Sequence, residues 1–463
     1  MSFVFYDFET TGTSPAFDQP TQFAAILTDD NLEPLEHIDI RCRLSGHILP
    51  APWALAVTGV SPKTLNDPSL PTWFEFVQTL ADLIDRWGPS TWVGYNSISF
   101  DEEVLRQSFY QNLQPDLYQT QMNGNDRLDV MKIVYSAWEL ARDSLNWPLD
   151  DKGRNSFKLD RLAPANGFEH HDAHDALGDV EATIHIAKLI RDRAPDVWQQ
   201  ALRNRSKHEV NDLLESGQPL RLVERFGAAP PRSYIGAFCG RNPDNPNSVG
   251  FLDLSLVDPD DLSNADDETV QAAVSATPKL IRTVTANKVP SLFEHPGADN
   301  ETWERAAALA EMPELHQRVS KALANRWPER EEPDNVEQSI YSGFYGAHDK
   351  RLLSQFQNGS WLDRYALLSQ FEDHRIQRLA QRLLFLNNPT SLDGKTRERL
   401  SESVRERWMS NNPDAPWMTF SQVQKQLNEI AEVSALPISE IEELQQYYNG
   451  LASRMALQAQ EPD

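Results

Sequence analysis

Phe3-Val4-Phe5-Tyr6-Asp7-Phe8-Glu9-Thr10 opens the chain as a β-strand in which aromatic and β-branched residues surround two acids. Residues two apart on a strand face the same side, so Phe3, Phe5, Asp7 and Glu9 share one face and two carboxylates stand side by side at its C-terminal end. Val4, Phe5, Tyr6 and Phe8 imply a largely buried strand, where uncompensated charge is costly. Something positive is therefore expected to meet Asp7 and Glu9. The plainer alternative is that the strand has already reached solvent at Asp7.

Working outward, strand-like and helix-like segments alternate as far as Arg193. Residues 22–28, 37–43 and 91–95 read as strands. Residues 71–87 place Trp73, Phe76, Val77, Leu80, Leu83, Ile84 and Trp87 at helical spacing and stop at Gly88-Pro89. Residues 102–109, 128–138 and 175–191 read as further helices, the pattern of a mixed α/β domain. Beyond Arg193, Pro219, Pro230, Pro231, Pro243 and Pro246 punctuate short β-like runs, which predicts a smaller β-rich domain. Residues 258–268 read as an acidic loop and 328–333 as a linker. From Asp349 onward the chain is helix-periodic, with Leu367, Leu368, Phe371, Ile376, Leu379, Leu383 and Leu384 in one apolar stripe. Ser439-Glu440-Ile441-Glu442 reads as a capping box opening the last helix.

Composition bounds the function. At roughly 150 residues per domain, 463 residues predict about three domains. Forty per cent hydrophobic residues, with 12 Trp and 20 Phe, supply packed cores and exclude wholesale disorder. Cys42 and Cys239 alone make neither a disulfide framework nor a four-cysteine zinc site. No run approaches the roughly 18 apolar residues of a membrane helix, mean hydropathy is -0.54, and no charged segment precedes Phe3. A soluble, cytoplasmic chain is expected. The net charge of -26 excludes a surface that is basic all over, but not a basic groove on an acidic body. Residues 194–250 are the least acidic long stretch, where Arg203, Arg205, Lys207, Arg221, Arg225, Arg232 and Arg241 balance the acids.

Two later segments carry chemistry of the same kind. Val93-Gly94-Tyr95-Asn96 reads as a strand end before Phe100-Asp101-Glu102-Glu103 at a helix start, and His174-Asp175-Ala176-Leu177-Gly178-Asp179 stands at the head of another helix. On an ideal helix His174 and Asp179 lie about 140° apart, so they converge only if His174 sits on the incoming loop. Each signal alone has an ordinary reading, since acids in a first helical turn are common dipole partners.

Together these segments resemble the three motifs of the DEDDh group of 3′→5′ exonucleases: Asp7-Phe8-Glu9-Thr10, Asn96 with Phe100-Asp101, and His174 five residues before Asp179. The runs 7–13, 22–25, 156–159 (Ser-Phe-Lys-Leu), 166–170 (Asn-Gly-Phe-Glu-His) and 287–290 (Asn-Lys-Val-Pro) are similar to the bacterial exodeoxyribonuclease I family as far as about Phe344. The resemblance implies an α/β, RNase H-like exonuclease domain (1–194), an SH3-like β-rich DNA-binding domain (195–345) and a C-terminal helical domain (346–463). It also implies a monomeric single-strand-specific 3′→5′ exodeoxyribonuclease of repair and recombination that releases 5′-mononucleotides with Mg²⁺.

The residue types suit that chemistry. Phosphodiester hydrolysis needs an activated water, charge compensation and help for the leaving oxygen, which two cations about 4 Å apart supply. Four carboxylates, Asp7, Glu9, Asp101 and Asp179, with no thiol select hard ions such as Mg²⁺ or Mn²⁺. His174, with an ordinary pKa near 6.5, is placed to take a proton from the attacking water. His170 and His171 lack its spacing to Asp179, Glu102 and Glu103 lack the preceding Phe100, and Asp126 and Asp129 read as helix caps.

By the same resemblance, Glu9, Arg106, Tyr118, Lys158, Arg205, Lys207, Asn247, Arg282, Asn287 and Lys288 occupy strand-contacting positions, while Gln121 stands where an aromatic is expected. The resemblance further implies docking of the acidic, Phe-terminated tail of single-stranded-DNA-binding protein. Arg305, Arg318, Lys321 and Arg326, interleaved with Trp303, Leu315, Leu323 and Trp327, are the candidate positions, although a helix packing on its own core has the same pattern. Two rivals remain: a proofreading or oligoribonuclease-type exonuclease, which needs only the first domain, and a non-catalytic single-strand-binding adaptor.

Overall fold

The strand predicted at the N-terminus is β1 (Phe3–Thr10), the centre of a five-stranded sheet. A computed structural model describes residues 2–168, 175–275, 277–327 and 331–458. On one side of β1 lie β2 (Pro20–Thr28) and β3 (Pro34–Arg41), both antiparallel. On the other lie β4 (Thr91–Gly94) and β5 (Asp126–Asp129), both parallel, giving the order β3-β2-β1-β4-β5. Pairing with β4 stops at Phe5, whereas pairing with β2 continues to Thr10. The last residues of β1 therefore have one open edge.

The two faces of β1 go to different cores. Val4, Tyr6 and Phe8 pack with the helix Trp73–Trp87, which Thr72 and Glu75 start as a capping box. Phe3 and Phe5 pack with Val180, Ile184 and Ile190 of the helix Ala176–Arg193. Asp7 and Glu9 share the second face, so the helix Ala176–Arg193 crosses directly over them.

The second sheet is antiparallel throughout, in the order β10-β6-β7-β8-β9: β6 (Leu220–Glu224), β7 (Arg232–Arg241), β8 (Ser248–Asp253), β9 (Ile281–Thr285) and β10 (Leu292–Glu294). One face carries Leu222, Phe251 and Val284 and packs on Val210 of the helix Lys207–Leu214. The other buries Ala237, Cys239 and Leu252 against the helices Asn300–Ala310 and Pro313–Ala324. Gly240 (φ 148) permits that approach, since a Cβ there would stand 2.8 Å from the His316 carbonyl oxygen.

The remaining helices wrap the first sheet's surroundings. Phe356, Leu367, Ile376 and Leu379 share a core with Phe74 and Tyr110, and Trp408, Val423, Leu427 and Tyr448 share one with Leu49, Leu55 and Leu65. Among the described residues no helix is long and apolar enough to cross a membrane.

Some local expectations need correction. Leu128 and Asp129 end β5 instead of starting a helix; the helix is Val130–Leu140, and Asp129 caps it by accepting from the Met131 N–H. Asp126 lies within β5 and is no cap. The acidic stretch 258–268 is helical, because Asp258 caps Pro259–Asn264 and Asp267 and Glu268 sit in the first turn of Asp267–Ser275, where the helix dipole favours acids. The last helix, Ile438–Gln458, begins ahead of Ser439, so that serine is inside it. Residues 328–330 of the expected linker lie outside the described residues.

Candidate active site

Asp7 and Glu9 project from the open end of β1, and Asp179 enters from the first turn of Ala176–Arg193. One carboxylate oxygen from each lies within 4.8 Å of the others, so the strand and the helix bring three acids to one point. Asp101 does not join that triplet. It begins the helix Asp101–Gln111, is 3 % exposed, and accepts from the Phe8 N–H at 3.2 Å. The open edge of β1 left by β4 makes that N–H available, so Asp101 is fastened to the main chain between Asp7 and Glu9. His174 lies outside the described residues.

The electrostatics are those of like charges forced together. Burial first, then the charges of Asp101, Asp179 and Glu9, hold the Asp7 carboxyl well above the usual carboxylate range. Glu9 is pushed up to about 8 by burial and by Asp179, Asp101 and Asp175, against a partial counter-effect of Arg41. Asp101 is likewise raised to about 8 by burial, although the Phe8 N–H opposes the shift. Among the described residues the site offers oxygen donors, and the bias of Asp7, Glu9 and Asp101 toward the protonated form fits a hard divalent cation that would displace those protons.

Two neighbours escaped the sequence reading. Asp175, next to His174, is held by Gln22 Nε2 at 3.0 Å and Arg41 Nη2 at 3.3 Å. Gln22 was visible only as part of a motif, and Arg41 on β3 carried no signal, because its role depends on where the Ala176 helix lands. Glu9 opens into a cleft of about 740 Å³ whose near wall includes Phe8, Thr10 and Phe100 and whose far wall includes Trp417 and Met418 of the helical tail. Trp53 ties the near wall to the tail by donating through its N–H to Gln426 and through Nε1 to Glu429.

The positions expected to touch a strand divide into two groups. Arg106, Arg205 and Arg282 are committed within the protein. Arg106 binds Glu102, Glu103 and the Tyr341 hydroxyl, with its guanidinium 4.9 Å from the Tyr118 ring. Arg205 donates to both Asp126 oxygens at 3.0 Å and to Thr91, locking the start of the second region onto the first sheet's edge. Arg282 lies 3.2 Å from the Tyr234 ring centre between Glu224 and Asp253. Lys158, Lys207 and Lys288 are exposed, and Asn247 and Asn287 are half-buried. Lys288 borders a second cavity of about 350 Å³, between the two sheets, with Lys132 and Arg225. Lys132 was missed because nothing in its helix marks it out.

The candidate partner pocket resolves differently. Leu315 and Leu323 are core residues, Arg305 and Arg318 bind Asp258, Glu301 and Asp267, and Arg326 bonds Thr283. Those positions pack helices on their own sheet, whereas Trp303, Lys321 and Trp327 are exposed.

Residues 4–187 match the Exonuclease family and residues 334–451 match the Exonuclease I C-terminal domain family. The exodeoxyribonuclease I of Haemophilus influenzae is 33 % identical over 82 % of this chain and 84 % of its own length. The chain belongs to the exodeoxyribonuclease I family. It is therefore a nuclease, of a family whose exonuclease domain is metal-dependent. Among solved members, a zinc-bound form of the Escherichia coli exonuclease I complex with single-stranded DNA superposes with a TM-score of 0.82 at 28 % identity, covering 97 % of this chain and 99 % of that one. A structure described as SSB/exonuclease I with an inhibitor gives 0.81 at 28 % identity, covering 98 % and 99 %.

Proposed function

We propose that this protein hydrolyses single-stranded DNA from its 3′ end, releases 5′-mononucleotides and acts in cytoplasmic DNA repair and recombination as a monomer. The observation that carries the reading is the convergence of Asp7, Glu9 and Asp179 beside the fastened Asp101, at the mouth of the cleft under the tail. Asp7, Glu9, Asp101 and Asp179 would hold Mg²⁺, as two ions, with Mn²⁺ able to substitute. Such a pair supplies charge compensation for the phosphoryl, attacking and leaving oxygens. The chain's own residues do the remainder: Asp7 and Glu9 give up their protons on loading, the Phe8 N–H orients Asp101, and His174 takes the proton of the attacking water.

The strand is read as running over Lys288, Asn287 and the cavity between the sheets that Lys132 and Arg225 also line, with Lys158, Lys207 and Asn247 contributing. The chain is read as units 1–194, 195–345 and 346–463, a division that the two separate sheets support. A proofreading or oligoribonuclease-type role leaves the second sheet and the tail without use. The relative solved with SSB supports docking of that protein's acidic tail here as well, at a surface other than the Leu315–Leu323 core face.

End-labelled single- and double-stranded DNA of one sequence, incubated with Mg²⁺ and with EDTA, tests the reading. The expected result is shortening from the 3′ end of the single strand only, abolished by EDTA. Equal rates on blunt duplex, or cleavage in chelator, would remove it.

A further inference from the structure

Glu102, immediately after Asp101, is buried to 2 % exposure yet takes no part in the acid cluster. Its Oε1 accepts from the Thr120 hydroxyl at 2.9 Å and the Tyr6 hydroxyl at 3.4 Å; its Oε2 accepts from Gln121 Nε2 at 3.2 Å, Arg106 Nη2 at 3.3 Å and Arg127 Nη1 at 3.4 Å. A carboxylate offers about four lone-pair sites, so this one is saturated and fastens the neighbours that meet there. Those neighbours are Tyr6, which precedes Asp7, Thr120 and Gln121, Arg106 of the same helix, and Arg127 of β5. Gln121, the departure from the family pattern, is turned inward to make this contact.

Arg127 continues the chain of contacts into the second region. Its Nη2 donates at 2.7 Å to the main-chain oxygen of Asn287, in the turn that presents the exposed Lys288. One rigid guanidinium fork thus bonds the carboxylate beside Asp101 and the turn expected to meet strand phosphates. A satisfied buried polar network of this kind restricts the groups it joins, and misplacing a reacting geometry by about 1 Å can cost up to ~10²-fold in rate.

On the exonuclease reading above, we propose that Glu102 and Arg127 are positioning residues that transmit engagement of a strand at the Asn287–Lys288 turn to the placement of Asp101. The substrate class this relay favours is an oligonucleotide long enough to span from the acid cluster to that turn.

Arg127→Lys keeps the charge and removes the fork. With this variant kcat on a long single strand should fall roughly three- to tenfold with KM changed less than about twofold, while kcat on the p-nitrophenyl ester of thymidine 5′-phosphate, too short to reach the turn, stays within about twofold. Glu102→Gln should give the same length-dependent split. Parallel loss on both substrates, a change in KM alone, or no change overturns the relay. Hydrogen exchange on the wild-type protein in EDTA covers the case in which neither variant folds: amides of 101–103 and 119–121 should slow with the long strand and not with thymidine 5′-monophosphate, and equal slowing overturns the proposal. An inert wild type would defeat the exonuclease reading itself, whereas an active wild type with parallel losses defeats only the relay.

Discussion

Two carboxylates, one deep in the molecule and one half-buried at a cleft, behave in opposite ways. Glu337, 2 % exposed, is raised by burial, yet Arg382 at 2.6 Å and Arg407 at 2.7 Å overcome that and hold it at about 2. Glu9 meets burial and three further acids, opposed among the described residues by Arg41, and rises to about 8. The first is an internal fastening whose counter-charges come from the helical tail. The second is a site whose charge balance is left for a ligand to complete. Burial alone does not mark a functional acid; the sign of what surrounds it does.

The comparison breaks first at the cluster itself. Asp7→Ala and Asp179→Ala should each abolish cleavage while leaving single-strand affinity within about tenfold, since each removes a metal-holding oxygen and not the phosphate contacts. Fluorescence titration of an oligonucleotide beside a gel assay reads both quantities, and near-normal turnover from either purified variant would refute the assignment. Next in size, His174→Ala should slow cleavage about 10²- to 10⁴-fold and recover part of the loss as pH rises and hydroxide replaces the base. An unchanged rate would hand the proton to His171 or to water.

At the other carboxylate the expected damage is to stability. Glu337→Ala strands two guanidinia and should cost about 3–5 kcal/mol in denaturant unfolding, with the rate per folded molecule nearly unchanged. A loss of activity without loss of stability would mean that the tail's arginines serve the active site.

The smallest effect separates the two acids by pH. Glu337 is lowered in the fold, so its contribution is present above about 4.5 and is lost as pH falls toward about 2. Glu9 is raised, so the metal-free fold is favoured below about 4.5 and loses that share as pH climbs through about 8. In EDTA the melting temperature should therefore decline by a few degrees from about pH 5 to pH 8, and Mg²⁺ or Mn²⁺ should restore it most at the alkaline end. A metal effect independent of pH would show that the carboxyls are already ionised.

Much of the first region was legible because its signals are local. Alternation along β1 put Asp7 and Glu9 on one face, and the spacing of Trp73, Phe76, Val77, Leu80 and Leu83 marked one helix face, since both periods belong to the backbone itself. The motif order likewise pointed to Asp101 and Asp179. The acidic segment 258–268 misled because caps and loops draw on the same residues, and β5 was missed because four residues are too few to show a period.

By itself the sequence determined which acids would be offered, on which faces, and that hard cations would suit them. Only the tertiary structure decided which of them meet: Asp179 joins Asp7 and Glu9, while Asp101 is held by the Phe8 N–H because β4 stops short of it. It also turned Arg106, Arg205 and Arg282 inward and made Glu102 a junction. The reason is range. A strand's alternation is set within a few residues, whereas a guanidinium's partner can depend on where segments distant in sequence come to rest, as Arg127 does on Asn287, 160 residues away.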